Sequence, residues 1–152
     1  MALLGVNGTA NELWLAVVSD EGEVLDSQVR IVPAPDSPLA TQIRTALDEA
    51  ERVIETNGIT VVVILEPETG RFQPSYFQSV LRISLESAVV LAADQAGIVS
   101  VRRSRKWVRA TLDLPRTGAL SAHAAAVVEP HPPHWASKRD VAALAALAER
   151  LS

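Results

Sequence analysis

Apolar positions in the first third of the chain fall into short runs rather than helical stripes. Leu3 to Val6 is a brief run, Leu13 to Val18 a stronger one, and Val24 to Val32 alternates loosely, so three strands are predicted. Asn7-Gly8-Thr9-Ala10-Asn11 supplies the turn between the first two, and Asp20-Glu21-Gly22-Glu23 has hairpin chemistry between the next two. Pro33, Pro35 and Pro38 end this segment, because proline takes a donor out of a sheet ladder. Ser37 and Pro38 predict a helix start, with serine as N-cap and proline in the first helical position. Ile43, Leu47, Ala50 and Ile54 then recur at helical spacing, and Asn57-Gly58 stops the helix. Ile59 to Leu65 is a β-branched run that predicts a central strand buried on both faces, with Glu66 at its C-terminal end.

The second half reads differently. Pro67 to Pro74 is a predicted loop, and Ser75 to Ala96 a long helix with Tyr76, Phe77, Leu81, Leu85, Val89, Ala92 and Ala96 spread over most of its faces. A helix apolar nearly all round is either central or covered by a partner chain, so a homodimer through it is expected. Gly97 ends that helix and Ile98 to Val101 predicts another strand. Ser104 caps a short helix to Leu112, and Thr117 opens another through Val127. Glu129 to Trp135 is a stiff, proline-rich loop, and Ser137 starts a last helix with Val141, Leu144, Ala145, Ala148 and Leu151 inward. A strand meander followed by alternating strands and helices predicts one α/β domain over residues 1–152, with a mixed five-stranded sheet and helices on both faces.

Composition narrows the chemistry. The chain has no cysteine, which excludes disulfides and thiolate metal sites and fits a reducing, cytoplasmic setting. The start, Met1-Ala2-Leu3-Leu4-Gly5, does not read as a signal peptide, and Arg82, Glu86 and Asp94 interrupt the longest apolar stretch, so no membrane association is expected. Charge is divided unevenly: residues 1–70 carry 3 basic and 12 acidic side chains, residues 71–152 carry 11 and 6. Arg102, Arg103, Arg105, Lys106 and Arg109 surround Trp107 in a stretch dense enough to neutralise phosphates, which makes nucleic acid a candidate partner. The same stretch also reads as a solvated helix face with Trp107 and Val108 turned to the core.

Polar residues at strand ends are the other candidates, since open α/β sheets build their sites there. Asn7, Glu66 and Asp140 belong to a first strand, a central strand and a facing helix. Each also has a local explanation. Asn7-Gly8 is common turn chemistry, Glu66 precedes Pro67 where an exposed acid is ordinary, and Ser137 to Asp140 is a capping-box variant. Of His123, His131 and His134, the last two flank Pro132-Pro133 with no third ligand nearby, and no phosphate-binding glycine loop occurs.

Taken in order, these motifs resemble a known family. Gly5-Val6-Asn7-Gly8-Thr9, with the strand and Asp20-Glu21-Gly22 turn after it, resembles the opening hairpin of ribonuclease-H-like proteins. Ile64-Leu65-Glu66-Pro67, the helix from Phe77 to Ile98, the basic segment Arg105 to Gly118 and Lys138-Arg139-Asp140-Val141 resemble successive parts of the RuvC branch. The resemblance implies a ribonuclease-H-like fold and a nuclease whose clustered carboxylates hold Mg²⁺ or Mn²⁺, with Glu66, Asp140 and Asn7 at catalytic positions and Glu66 and Asp140 as metal ligands. Two positions depart from it: Asn7 stands where the family has aspartate, and Ser137 where it has an acid or histidine. The expected function is a RuvC-like protein with weak or no catalysis that binds nucleic acid or a protein partner. A Mg²⁺-dependent endonuclease acting on structured nucleic acid and a structural homodimerisation module are the alternatives.

Overall fold

The computed structural model describes residues 1–68, 74–128 and 135–152. Strands β1 (Ala2–Gly8), β2 (Leu13–Ser19), β3 (Val24–Leu25) and β4 (Arg30–Ile31) precede helix α1 (Leu39–Asn57). Strand β5 (Ile59–Leu65), helix α2 (Tyr76–Gln95), strand β6 (Val99–Arg103) and helix α3 (Arg105–Thr111) follow, and helix α4 (Asp140–Leu151) closes the chain. The sheet runs β3-β2-β1-β5-β6, with β4 also paired to β2. β1 pairs antiparallel with β2 and parallel with β5, and β6 continues the parallel half. The predicted mixed α/β sheet is therefore present.

Side chains of β1 and β5 alternate between two cores. Leu4, Val6, Val62 and Ile64 face α1 and α2, while Leu3, Val63 and Leu65 face α4 and α3. Each fully buried branched side chain favours folding by roughly 1.5–3 kcal/mol, so burial on both faces holds β1 and β5 most firmly. Helices thus cover both faces of the sheet, as the chain pattern predicts.

Several boundaries differ from expectation. The strand predicted over Val24 to Val32 is split, so the sheet has six strands instead of five. The break coincides with Arg139, whose guanidinium reaches over from the start of α4. Its Nε donates to the Leu15 carbonyl at 3.0 Å and its Nη2 to the Leu25 carbonyl at 3.2 Å. Ser37 does not cap α1: the hydroxyl turns back to the Ala34 carbonyl, and Pro38 occupies the cap position. The buried stripe of α1 is Gln42, Ala46, Ala50, Val53 and Ile54, which leaves Ile43 and Leu47 at its margin. Gly58, with φ +60°, ends α1 as predicted.

Ser75 caps α2 through a capping box with Gln78, and Leu85, Val89 and Ala92 are buried. Tyr76, Phe77 and Ala96, expected to face inward, are exposed at the two ends of α2. The segment expected to be helical from Thr117 is a 3₁₀ turn over Leu120–Ala126. A π-helical turn over Trp135–Arg139 leads directly into α4, so Ser137 lies inside helical winding and is not an N-cap. Leu151 is exposed at the end of α4, whereas Val141, Leu144, Ala145 and Ala148 are buried as expected. The loop readings around Thr69 to Gln73 and Glu129 to His134, with His131 and His134, fall outside the described residues. No helix among the described residues is long and apolar enough to cross a membrane.

Candidate functional site at the C-terminal end of the central strands

Asn7 is the penultimate residue of β1, in register with Trp14 and Leu65, and it is buried. The strand continues through Gly8 and the turn begins at Thr9, whose amide donates to the Glu12 carbonyl at 2.9 Å. Asn7 is therefore a strand residue and not the turn residue that Asn-Gly suggests. Strand alternation points it at the α4 side, where its Nδ2 donates to the Lys138 carbonyl at 3.2 Å. Its Oδ1 accepts a long bond, 3.5 Å, from Nη2 of Arg105.

Asp140 opens α4 two residues after that carbonyl and is 1% exposed. Its Oδ1 accepts from the Val141 amide at 2.8 Å. No capping box forms, because the π-helical turn precedes Asp140. The structure thus brings Asn7, the start of α4 and Arg105 together. Burial pushes the Arg105 guanidinium below its ordinary pKa, Glu68 and Asp140 pull it back up, and Arg82 and Arg109 push it down. Glu66 is half-buried just beyond β5, its amide donating to the Arg103 carbonyl at 2.9 Å. Among the described residues its carboxylate makes no hydrogen bond or ion pair.

A second cluster adjoins this corner from the α2 side. Glu86, 2% exposed, accepts from Arg82 Nε at 3.1 Å and from Arg102 Nη1 at 2.7 Å. Gly8 makes room for it, since a Cβ there would lie 2.7 Å from Glu86 Oε2. Arg82 Nη2 and Arg105 Nε are both buried without a hydrogen-bond acceptor. Sequence reasoning missed Arg82, Glu86 and Glu68. The available signal was an acid at position 86 between the inward residues Leu85 and Val89, four residues after an arginine.

The basic segment is divided among several tasks. Arg103 makes a two-bond pair with Glu149 of α4, at 2.7 and 3.0 Å, and stacks over Trp107 with its guanidinium carbon 4.4 Å from the ring centre. Glu149 holds the Arg103 guanidinium above its ordinary pKa. Arg109 donates to the Pro115 and Gly118 carbonyls and pins the turn between them. Arg102 lies against Glu86, and Lys106 is exposed. Val108 is buried and Trp107 packs against the same core, so the structural reading of this stretch holds for its apolar residues.

The polar groups at this corner are already engaged with their neighbours. Asn7 is neutral and already turns its amide to a carbonyl, one Asp140 oxygen accepts a backbone bond, and the Arg105 guanidinium stands beside Asn7. Among the described residues, no group of three or more histidine, aspartate or glutamate side chains is placed to hold a metal ion. Ser137 cannot be added to the set, because its side chain is outside the described residues.

No family model matches the chain, and no curated protein does. Solved structures do. Thermus thermophilus RuvC, described as in complex with Holliday junction substrate, is 18% identical with a TM-score of 0.75, covering 97% of this chain and 91% of that one. A second Thermus thermophilus RuvC structure gives 18% identity and a TM-score of 0.77, covering 97% and 92%. The yeast mitochondrial Holliday junction resolvase is more distant, at 12% identity and a TM-score of 0.56, covering 97% and 78%. On this likeness, which covers 97% of the chain, the chain has the RuvC-like form of the ribonuclease-H fold.

Proposed function

We propose that this chain binds nucleic acid, with a branched junction as the first substrate class to test, and does not cleave it by a metal-dependent route. The observation that carries this reading is the Arg105 guanidinium beside Asn7, at the strand end where the resemblance places an aspartate. Metal ions in such a site activate water and stabilise a leaving oxygen. A fixed guanidinium attracts a phosphate but generates no hydroxide at neutral pH. The Thermus thermophilus RuvC of the same fold is described with a Holliday junction substrate, which supports a branched substrate here. Exposed Lys106 and part-exposed Arg102 flank the corner and add positive charge beside it.

The test is fluorescence anisotropy with a labelled four-way junction and a matched duplex, in EDTA and then in Mg²⁺ or Mn²⁺, with cleavage followed on gels. Binding in EDTA that weakens as salt rises, with no cleavage in either metal, is expected. Cleavage that disappears in Glu66→Gln and Asp140→Asn would establish the Mg²⁺-dependent endonuclease instead. Absence of binding to any nucleic acid at low salt would leave the fold as a protein-interaction module. A self-association reading has its own support, since Ile83 and Leu91 on α2 are 56% and 45% exposed.

A further inference from the structure

We propose that Arg82 and Arg105 together form a site for one phosphodiester group, held directly on the two guanidiniums with no metal between. This rests on the nucleic-acid reading above and assigns its innermost contact. The two side chains come from different helices, α2 and α3, and each is anchored by one nitrogen while another stays bare. Arg82 Nε is fixed on Glu86 Oε2 at 3.1 Å, and its Nη2 is buried with no acceptor. Arg105 Nη2 is steadied by Asn7 Oδ1 at 3.5 Å, and its Nε is buried with no acceptor. Buried donors are nearly always satisfied, so two orphans of the same chemistry at one strand end mark a place for an acceptor.

Charge points the same way. Burial lowers the Arg105 pKa most, and the like charge of Arg82 lowers it further. An oxyanion between them removes that repulsion and accepts from both bare nitrogens, and phosphate oxygens match the guanidinium fork. Gly8 lets this happen against bare backbone, since a Cβ there would lie 3.2 Å from Arg82 Nε. Glu68 and Asp140 also act on Arg105, with the opposite sign. Those carboxylates oppose a second negative charge, so the site favours the singly charged diester of a nucleic-acid backbone over a free phosphate dianion.

The test uses the full chain in EDTA and two probes: the dinucleoside monophosphate TpT, which carries a single diester, and inorganic phosphate. Arginine side-chain N–H resonances are followed by ¹H–¹⁵N NMR during each titration. TpT is expected to shift the Arg105 Nε–H and Arg82 resonances and to bind more tightly than inorganic phosphate. Arg82→Gln and Arg105→Gln should each weaken TpT binding by about tenfold or more, as for the loss of one charge-assisted bond. Arg105→Lys, which keeps the charge and loses the fork, should show the same weakening if the glutamine variant does not fold. Shifts confined to Lys106 and its neighbours, undiminished TpT affinity in the variants, tighter binding of inorganic phosphate, or a requirement for Mg²⁺ would each overturn the assignment. Junction binding by the parent with no TpT response at Arg105 sinks this site and leaves the nucleic-acid reading intact. A TpT response at Arg105 with no binding to longer nucleic acids sinks that reading and leaves the diester site standing.

Discussion

Asn7 uses its amide in both directions, donating to the Lys138 carbonyl and accepting from Arg105, which an ionised aspartate cannot do. Asn7→Asp keeps the volume but turns a lone pair toward that carbonyl in place of a proton. The buried variant is expected to lose about 1–3 kcal/mol, partly offset by a stronger pair with Arg105; urea denaturation measures the difference, and equal stability would show that the Lys138 bond contributes nothing. Mn²⁺ should not stabilise Asn7→Asp alone, because Arg105 moves onto the new carboxylate. In Asn7→Asp with Arg105→Ala, a third acid is added near Glu66 and Asp140 and the cation bonded to position 7 is removed, so Mn²⁺ should raise the melting temperature by linkage. Identical melting with and without Mn²⁺ in that double variant would mean that residues 7, 66 and 140 do not converge on one ion. At this scale the sequence was partly legible. Positions 7 and 140 were expected at element ends and lie there, but the guanidinium beside Asn7 was not expected. Arg105 reads as one more member of a basic run, and Glu86 pairs with Arg102 at a distance no local pattern encodes.

At the level of elements, the contact between β1 and α4 decides the shape of the corner. A Cβ on Gly5 would lie 1.9 Å from the Ala142 carbonyl oxygen, which belongs to backbone and cannot swing aside. Gly5→Ala is therefore expected to cost about 3 kcal/mol or more, visible in a thermal melt, and a silent substitution would mean that α4 can lift without penalty. Arg139 holds the other side of the same helix start. Its buried cation is met by carbonyls of β2 and β3, and burial pushes its pKa down while Asp26 pulls it up. Arg139→Met should expose about 1–3 kcal/mol of lost bonding for each carbonyl left bare, and a urea midpoint equal to the parent's would refute that. Long periodic elements were legible in the chain: β1, β2, β5, α1, α2 and α4 lie close to where their patterns put them. The split of the third strand was not, because a guanidinium from more than a hundred residues away takes the carbonyls that a strand neighbour would use. Nor was the π-helical turn, since Ser137 carries a cap's chemistry in a segment where the winding has already begun.

Over the whole molecule, the uneven charge of the chain becomes a difference between faces. α1 carries Asp48, Glu49, Glu51 and Glu55 on one side of the sheet, while α3 brings Arg105, Lys106 and Arg109 to the other. A polyanion approaching the α3 side meets the basic surface first, whatever the net charge of −4 suggests. Self-association belongs to this scale too. Ile83→Glu with Leu91→Glu should convert a dimer to a monomer in sedimentation experiments without lowering thermal stability, and a parent already monomeric at high concentration would end that proposal. The inner face of α4 has a further consequence. Ala142 and Ala146 meet Gly5 of β1 there, so helix and sheet backbones lie almost against each other with little side chain between. Such a seam has no soft layer in which to slide. In hydrogen-exchange terms, the amides of Gly5 and of residues 142–148 should open only when the whole domain does, whereas those of residues 66–68 and 105–111 exchange through smaller local openings. A ligand reaching the corner would then be admitted by the lighter wall, α3 and residues 66–68, with Asn7 and Asp140 staying fixed as the floor.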